Sequence, residues 1–155
     1  MKTAAITTFI LATTGTTLAA PSMEKRALQP FRISTLRAAL YNKEHPERTR
    51  IIFGLSDPNH KFGTTCTADW TSGMGGDNKF NCSSTDYRFS FPNGINDIQK
   101  FDLSVAHVDG IESSAGKTSV HGDSWKCKTV SIPENDPAEK CEWDGTLEVK
   151  VTLST

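Results

Sequence analysis

Four histidines and four cysteines hold most of the reactive chemistry available to this chain. His45, His60, His107 and His121 could exchange protons near neutral pH or bind a metal. Their spacing argues against both, because no H-x-H or H-E-x-x-H arrangement puts two rings on one element. His45 and His60 fall in polar turns, where a solvated ring is expected. His107 continues the apolar face of an alternating stretch and reads as a hydrogen-bonded interior residue, while His121 precedes a Gly122-Asp123 turn. The expectation is no metal and no cofactor. No pair of groups has the spacing from which an acid and a base could be assigned, so no catalytic residue is named and no enzymatic activity is expected.

Two other stretches invite a chemical reading. "GIESSAGKTS" (110–119) has the look of a phosphate-binding loop, but five residues separate Gly110 from Gly116 where that motif requires four. Nothing suggests a following helix whose N-terminus would hold the phosphate, so the stretch reads as a hairpin loop. "PENDPAEKCEWDG" (133–145) gathers five acidic side chains without the ligand order of a calcium loop and reads as a solvated loop. Its Trp143 is a candidate partner contact, since an aromatic in a polar loop beside a bridged cysteine can anchor a ligand protein; packing against Cys141 is the competing role. Trp70 and Trp125 are expected to pack against disulfides.

Cysteine chemistry depends on compartment, and the N-terminus speaks to that. "MKTAAITTFILATTGTTLAAPS" has one charge at Lys2, an uncharged apolar and Thr-rich run, and small residues before Pro21, the order of a secretory signal peptide over residues 1–19. Its apolar core is too short to span a bilayer, which needs about 20 apolar residues. Residues 20–26 then form a short pro-segment ending in Lys25-Arg26, a basic pair of the kind that dibasic-cutting proteases of the secretory pathway recognise. Removal of residues 1–26 takes Lys2, Lys25, Arg26 and Glu24 from totals of 17 basic and 18 acidic residues, leaving 14 and 17. Such a mildly acidic chain has no electrostatic footprint for nucleic acid or anionic membrane.

In an exported chain Cys66, Cys82, Cys127 and Cys141 are expected to form disulfides. Four cysteines allow three connectivities. Sequential pairing closes two short loops and is favoured, at about 3 kcal/mol per bridge by the chain-entropy estimate. "NCS" at Asn81 is a glycosylation sequon whose middle residue is one of these cysteines.

The elements that position these residues have a hydrophobic period of two. "TRIIFGLS" (49–56), "FGTTCTADW" (62–70), "DYRFSF" (86–91), "KFDLSVAHV" (100–108) and "TLEVKVTL" (146–153) are β-branched and aromatic and are separated by turn residues. Phe101, Leu103, Val105 and His107 share one face of their strand; Leu147, Val149, Val151 and Leu153 share one face of theirs. One wet face per strand predicts an all-β fold, a single antiparallel β-barrel or sandwich-like domain over residues 27–155. "FRISTLRAALYNKEHP" (31–46) is ambiguous. Leu36 and Leu40 are one helical turn apart behind Ser34, yet Phe31 and Ile33 alternate as in a strand.

"FRIS", the "IIF" strand, "TTCTADW", "FNCSSTDYRFSF", the alternating strand after it, a C-terminal cysteine pair and the final "LEVKVTL" together resemble the Alternaria major-allergen family of fungal secreted proteins over about residues 30–153. The resemblance implies an all-β, barrel-like fold with bridges Cys66–Cys82 and Cys127–Cys141, and it makes "FRIS" a strand. Allergen-type members carry a further cysteine near the mature N-terminus for a covalent dimer. Residues 27–65 contain none, so a monomer or a non-covalent homodimer is expected. In function the resemblance implies a secreted, non-catalytic effector or elicitor acting on plant defence through a host extracellular protein, with "SDPNHK", "SGMGGDNK" and "PENDPAEK" as contact loops. The alternatives are a small secreted ribonuclease or other hydrolase, which needs a helix in "STLRAALYNKEHP", and a carrier of a small apolar ligand.

Overall fold

Period-two patterning becomes two antiparallel sheets in a computed structural model of the protein that describes residues 27–41, 48–71, 79–110, 112–129 and 137–154. The leader, Lys25-Arg26, His45, nearly all of one expected contact loop (72–78) and half of another (133–136) lie outside the described residues. The first sheet contains β1 (Phe31–Tyr41), β2 (Arg48–Asp57), β3 (Phe62–Thr71), β8 (Trp125–Thr129), β9 (Pro137–Trp143) and β10 (Leu147–Val149). Its order is β3-β2-β1-β9-β8, and β10 pairs with the first half of β1. The second sheet, in order β11-β7-β6-β5-β4, contains β4 (Lys79–Asn81), β5 (Tyr87–Ser90), β6 (Phe101–Asp109), β7 (Glu112–Val120) and β11 (Val151–Ser154). The two sheets do not close on themselves: of the two all-β forms expected, the structure is the sandwich-like one, not a barrel.

β1 resolves the ambiguous stretch as a single strand. Phe31 and Ile33 point inward, the register shifts between Ser34 and Arg37, and Leu36 and Ala38 then point inward as well. Thr35, at φ 51°, absorbs the extra residue as a β-bulge. That one-residue change of phase breaks strict alternation, which is why the sequence also allowed a helix. Residues 34–41 are thus strand where the ribonuclease reading requires a helix.

Two devices join the sheets. At one side "LEVKVTL" is split: Leu147–Val149 pairs with β1 in the first sheet, and past Lys150 the chain pairs with β7 in the second. Val151 still packs against the core, but Leu153, expected on the same face, is exposed. At the other side the Cys66–Cys82 bridge, with Ser83 N–H donating to the Thr65 carbonyl at 2.8 Å, ties β3 to the end of β4. The second bridge, Cys127–Cys141, joins directly opposed residues of β8 and β9. Both pairings are the sequential ones, and all four cysteines are used.

The split strand also explains a correction. "GIESSAGKTS" is not a hairpin loop; its residues from Glu112 onward form β7, paired with β6 and β11. A Cβ on Gly116 would sit 2.4 Å from the Lys150 carbonyl oxygen and 2.7 Å from a Val149 methyl. The close passage of the crossing strand thus requires the small residue that made β7 look like a loop. The acidic loop is corrected in the same way, since Pro137–Trp143 is β9.

Between the sheets lies an aromatic core. Phe53 meets Phe89 edge-on at 5.1 Å, and Phe91, Phe101, Trp125 and Trp143 continue a chain of ring contacts at 5.7, 5.9 and 6.5 Å. Trp70 packs on Phe80 and Phe91. Trp125 is held by its Nε1–H, which donates to the Ile98 carbonyl at 2.9 Å. Trp143, the last ring of the chain, is half-buried and reaches the surface.

Candidate functional sites

Two regions of the sandwich concentrate functional groups. The first is at the β2–β3 turn, where "SDPNH" forms the turn its residue types demand. Asp57, at the end of β2, accepts from the backbone N–H of Asn59 at 2.8 Å through Oδ1, an Asx-turn. The Asn59 side chain also donates to this oxygen at 3.0 Å and makes a two-way pair with the backbone of Gln29, at 2.8 and 2.9 Å, which ties the N-terminal segment to the turn. Lys61, at φ 53°, closes the loop into β3.

The Asp57 side chain is fully buried, and its Oδ2 faces His60 Nδ1 at 2.7 Å and accepts from the Tyr87 hydroxyl at 3.1 Å. Burial alone would push this carboxyl up. The hydrogen bonds from His60, Asn59 and Tyr87 outweigh that effect and hold it below the ordinary carboxylate value. The same burial, with the negative charge of Asp57 beside it, pushes the Tyr87 hydroxyl well up, so it stays a donor.

Tyr87 on β5 and His107 on β6 are opposed in register, with ring centres 4.7 Å apart. His60 comes from the other sheet to lie 4.1 Å from the His107 ring. Phe62 stacks on Tyr87 at 5.6 Å and roofs the cluster. His107 is buried on the apolar face of its strand, as expected, whereas the His60 side chain, 42% exposed, is engaged rather than merely solvated. Local spacing could not show this, because the rings come from opposite sheets. The visible signals were the D-x-x-H turn and a histidine on an apolar face.

The second region is a depression of about 1070 Å³ on the outer face of the first sheet. Register builds it from two rows of outward side chains. Ile52, Arg37, Glu142 and Lys126 form one row; Arg50, Ala39, Lys140 and Lys128 form the other. In the first row Arg37 pairs with Glu142 at 2.8 Å, and Lys126 meets Asp144 at 2.6 Å. That last contact raises the lysine and lowers the carboxyl. In the second row Arg50 pairs with Asp69 across β3 at 3.1 Å. Lys128 and Lys140 stand directly opposite one another, and neither has an ion-pair partner among the described residues. Trp143 and Tyr41 line the same depression.

The expected site residues distribute between these regions and the bridges. Trp143 lines the depression and packs on Trp125, its packing role. Asn81 is exposed at the end of β4, next to bridged Cys82, and His121 is exposed near the β7–β8 turn. Lys128 and Lys140 drew no attention as sequence, since nothing but strand register makes them neighbours. Comparison of the chain with protein-family models, curated proteins and solved structures gives no match.

Proposed function

We propose that the chain is an exported fungal recognition protein without chemistry of its own, which acts in the plant apoplast as an effector or elicitor by binding an acidic surface of a host extracellular protein. The signal-peptide pattern, the two disulfides and the resemblance to the Alternaria allergen family support the setting. The contact face is the depression on the first sheet, and the observation that carries this reading is the opposed Lys128–Lys140 pair among its lining residues. Like charges directly opposite on a sheet are destabilising, so a fold under selection for stability alone has no use for them. An acidic partner surface would supply the countercharge that the described residues do not provide and would steer association. Trp143, half-buried against Trp125 and lining the same depression, offers an aromatic anchor of the type that concentrates binding energy.

The test is capture from plant apoplastic fluid on the folded chain tagged at Thr155, with a reduced and alkylated sample as control. A Trp143→Ala variant and a Lys128→Glu/Lys140→Glu double variant run in parallel. A protein retained by the folded chain and lost from both variants supports the reading. No retention, or retention indifferent to the variants, sinks it. A second reading is a hydrolase of a kind that does not depend on the helix absent from residues 34–41; its support is the 2.7 Å Asp57–His60 contact, which resembles the orienting half of an acid–base pair. RNA-cleavage assays on the same sample test it, and activity that disappears in His60→Ala would establish it.

A further inference from the structure

The turn cluster contains a donor set that sequence spacing conceals. Asp57, His60 and His107 each offer one ligand atom, and the three atoms lie within 4.8 Å of one another. The geometry points to a binding site for a divalent transition-metal ion of the zinc or copper type, held by Asp57, His60 and His107. This reverses the expectation that the histidines are scattered, and it stands independently of the proposed partner surface.

The donor chemistry selects the class of ion. Two imidazoles and one carboxylate suit zinc, copper, iron or nickel, whereas calcium and magnesium favour all-oxygen cages. Three protein ligands leave further coordination positions open to water or to a small ligand, as in zinc sites that are not purely structural.

The surroundings supply what a pre-formed site needs. Asn59 and Tyr87 hydrogen-bond the Asp57 carboxylate and fix its orientation, the outer-shell support that sustains metal affinity. Tyr87 packs on the His107 ring and positions it from below. Asp57 and His107 are buried, so their atoms are shielded from bulk water, while the partly exposed His60 side chain marks the entry path. The site joins the two sheets, because Asp57 and His60 belong to the β2–β3 turn and His107 to β6.

The experiment uses the untagged secreted chain, stripped with EDTA and titrated with zinc chloride by calorimetry, with the imidazole resonances followed by NMR. One equivalent of zinc is expected to bind and to shift the His60 and His107 rings together. His60→Ala, a change at an exposed turn, should weaken binding at least tenfold while leaving the β-sheet circular dichroism unchanged. His121→Ala should bind as the wild type does. His107→Gln adds a ligand-deleting variant that keeps a polar side chain in the strand. If zinc moves neither ring, if no saturable binding occurs, or if His60→Ala binds as tightly as the wild type, the assignment is overturned.

Discussion

The β2–β3 turn and the outer face of the first sheet treat charge in opposite ways. At the turn a fully buried carboxylate has a partner for each oxygen: Asn59 for Oδ1, and His60 and Tyr87 for Oδ2. On the outer face two lysines oppose each other with no carboxylate to answer them among the described residues. The difference follows from solvent. A buried charge without partners would cost several kcal/mol, so the interior accepts Asp57 only as part of a complete network. Exposed like charges are screened by water and salt, so a sheet surface can retain them at a small cost and leave them for a partner. A buried polar cluster is therefore a structural commitment, and an exposed charge row is an adjustable one.

Mutations should separate the two. Asp57→Ala deletes the acceptor that Tyr87, His60 and Asn59 share, leaving buried donors unpaired, and should destabilise the fold by about 3 kcal/mol. Urea denaturation at constant m-value reads this directly, and a loss below about 1 kcal/mol would show that the network is less committed than its geometry implies.

Asp57 also predicts a pH dependence, to be measured in metal-free buffer. Its folded-state value lies below that of an unfolded aspartate, about 3.9. The stability it contributes is fully present above that unfolded value and is lost as pH falls through the lower folded value. Denaturation midpoints of the wild type and Asp57→Asn should therefore converge as pH drops below about 4. A gap that stays constant down to pH 2 would assign the difference to packing rather than charge.

Tyr87→Phe keeps the ring stacked between Phe62 and His107 but removes one donor to Asp57, and about 1 kcal/mol of stability should go with it. Smallest, and opposite in sign, is Lys140→Glu. A glutamate facing Lys128 replaces repulsion with an ion pair and should raise stability by about 0.5 kcal/mol while weakening partner capture. A variant that is both less stable and still able to capture the partner would remove the contrast between the regions.

Where the sequence misled, a tertiary cause can be named. β1 was ambiguous because the bulge at Thr35 changes the inward phase from Ile33 to Leu36. β7 was missed because Gly116 serves the backbone of the crossing strand at Lys150 rather than a strand preference of its own. Leu153 was assigned inward by continuing a pattern across Lys150, where the chain changes sheets. Each error comes from contact with a segment distant in the chain, to which local periodicity is blind.

What the sequence determined by itself was the all-β class, the strands β2, β3 and β6, and the inward face of β6, because side-chain alternation in a strand is a local property of the backbone. The four cysteines left three pairings possible by count, with the short-loop one favoured. Only the tertiary structure decided that pairing, the sandwich over the barrel, the meeting of His60 with His107 and the opposition of Lys128 to Lys140. These depend on strand order and register, which are set by long-range packing of the whole core and cannot be read from any one segment.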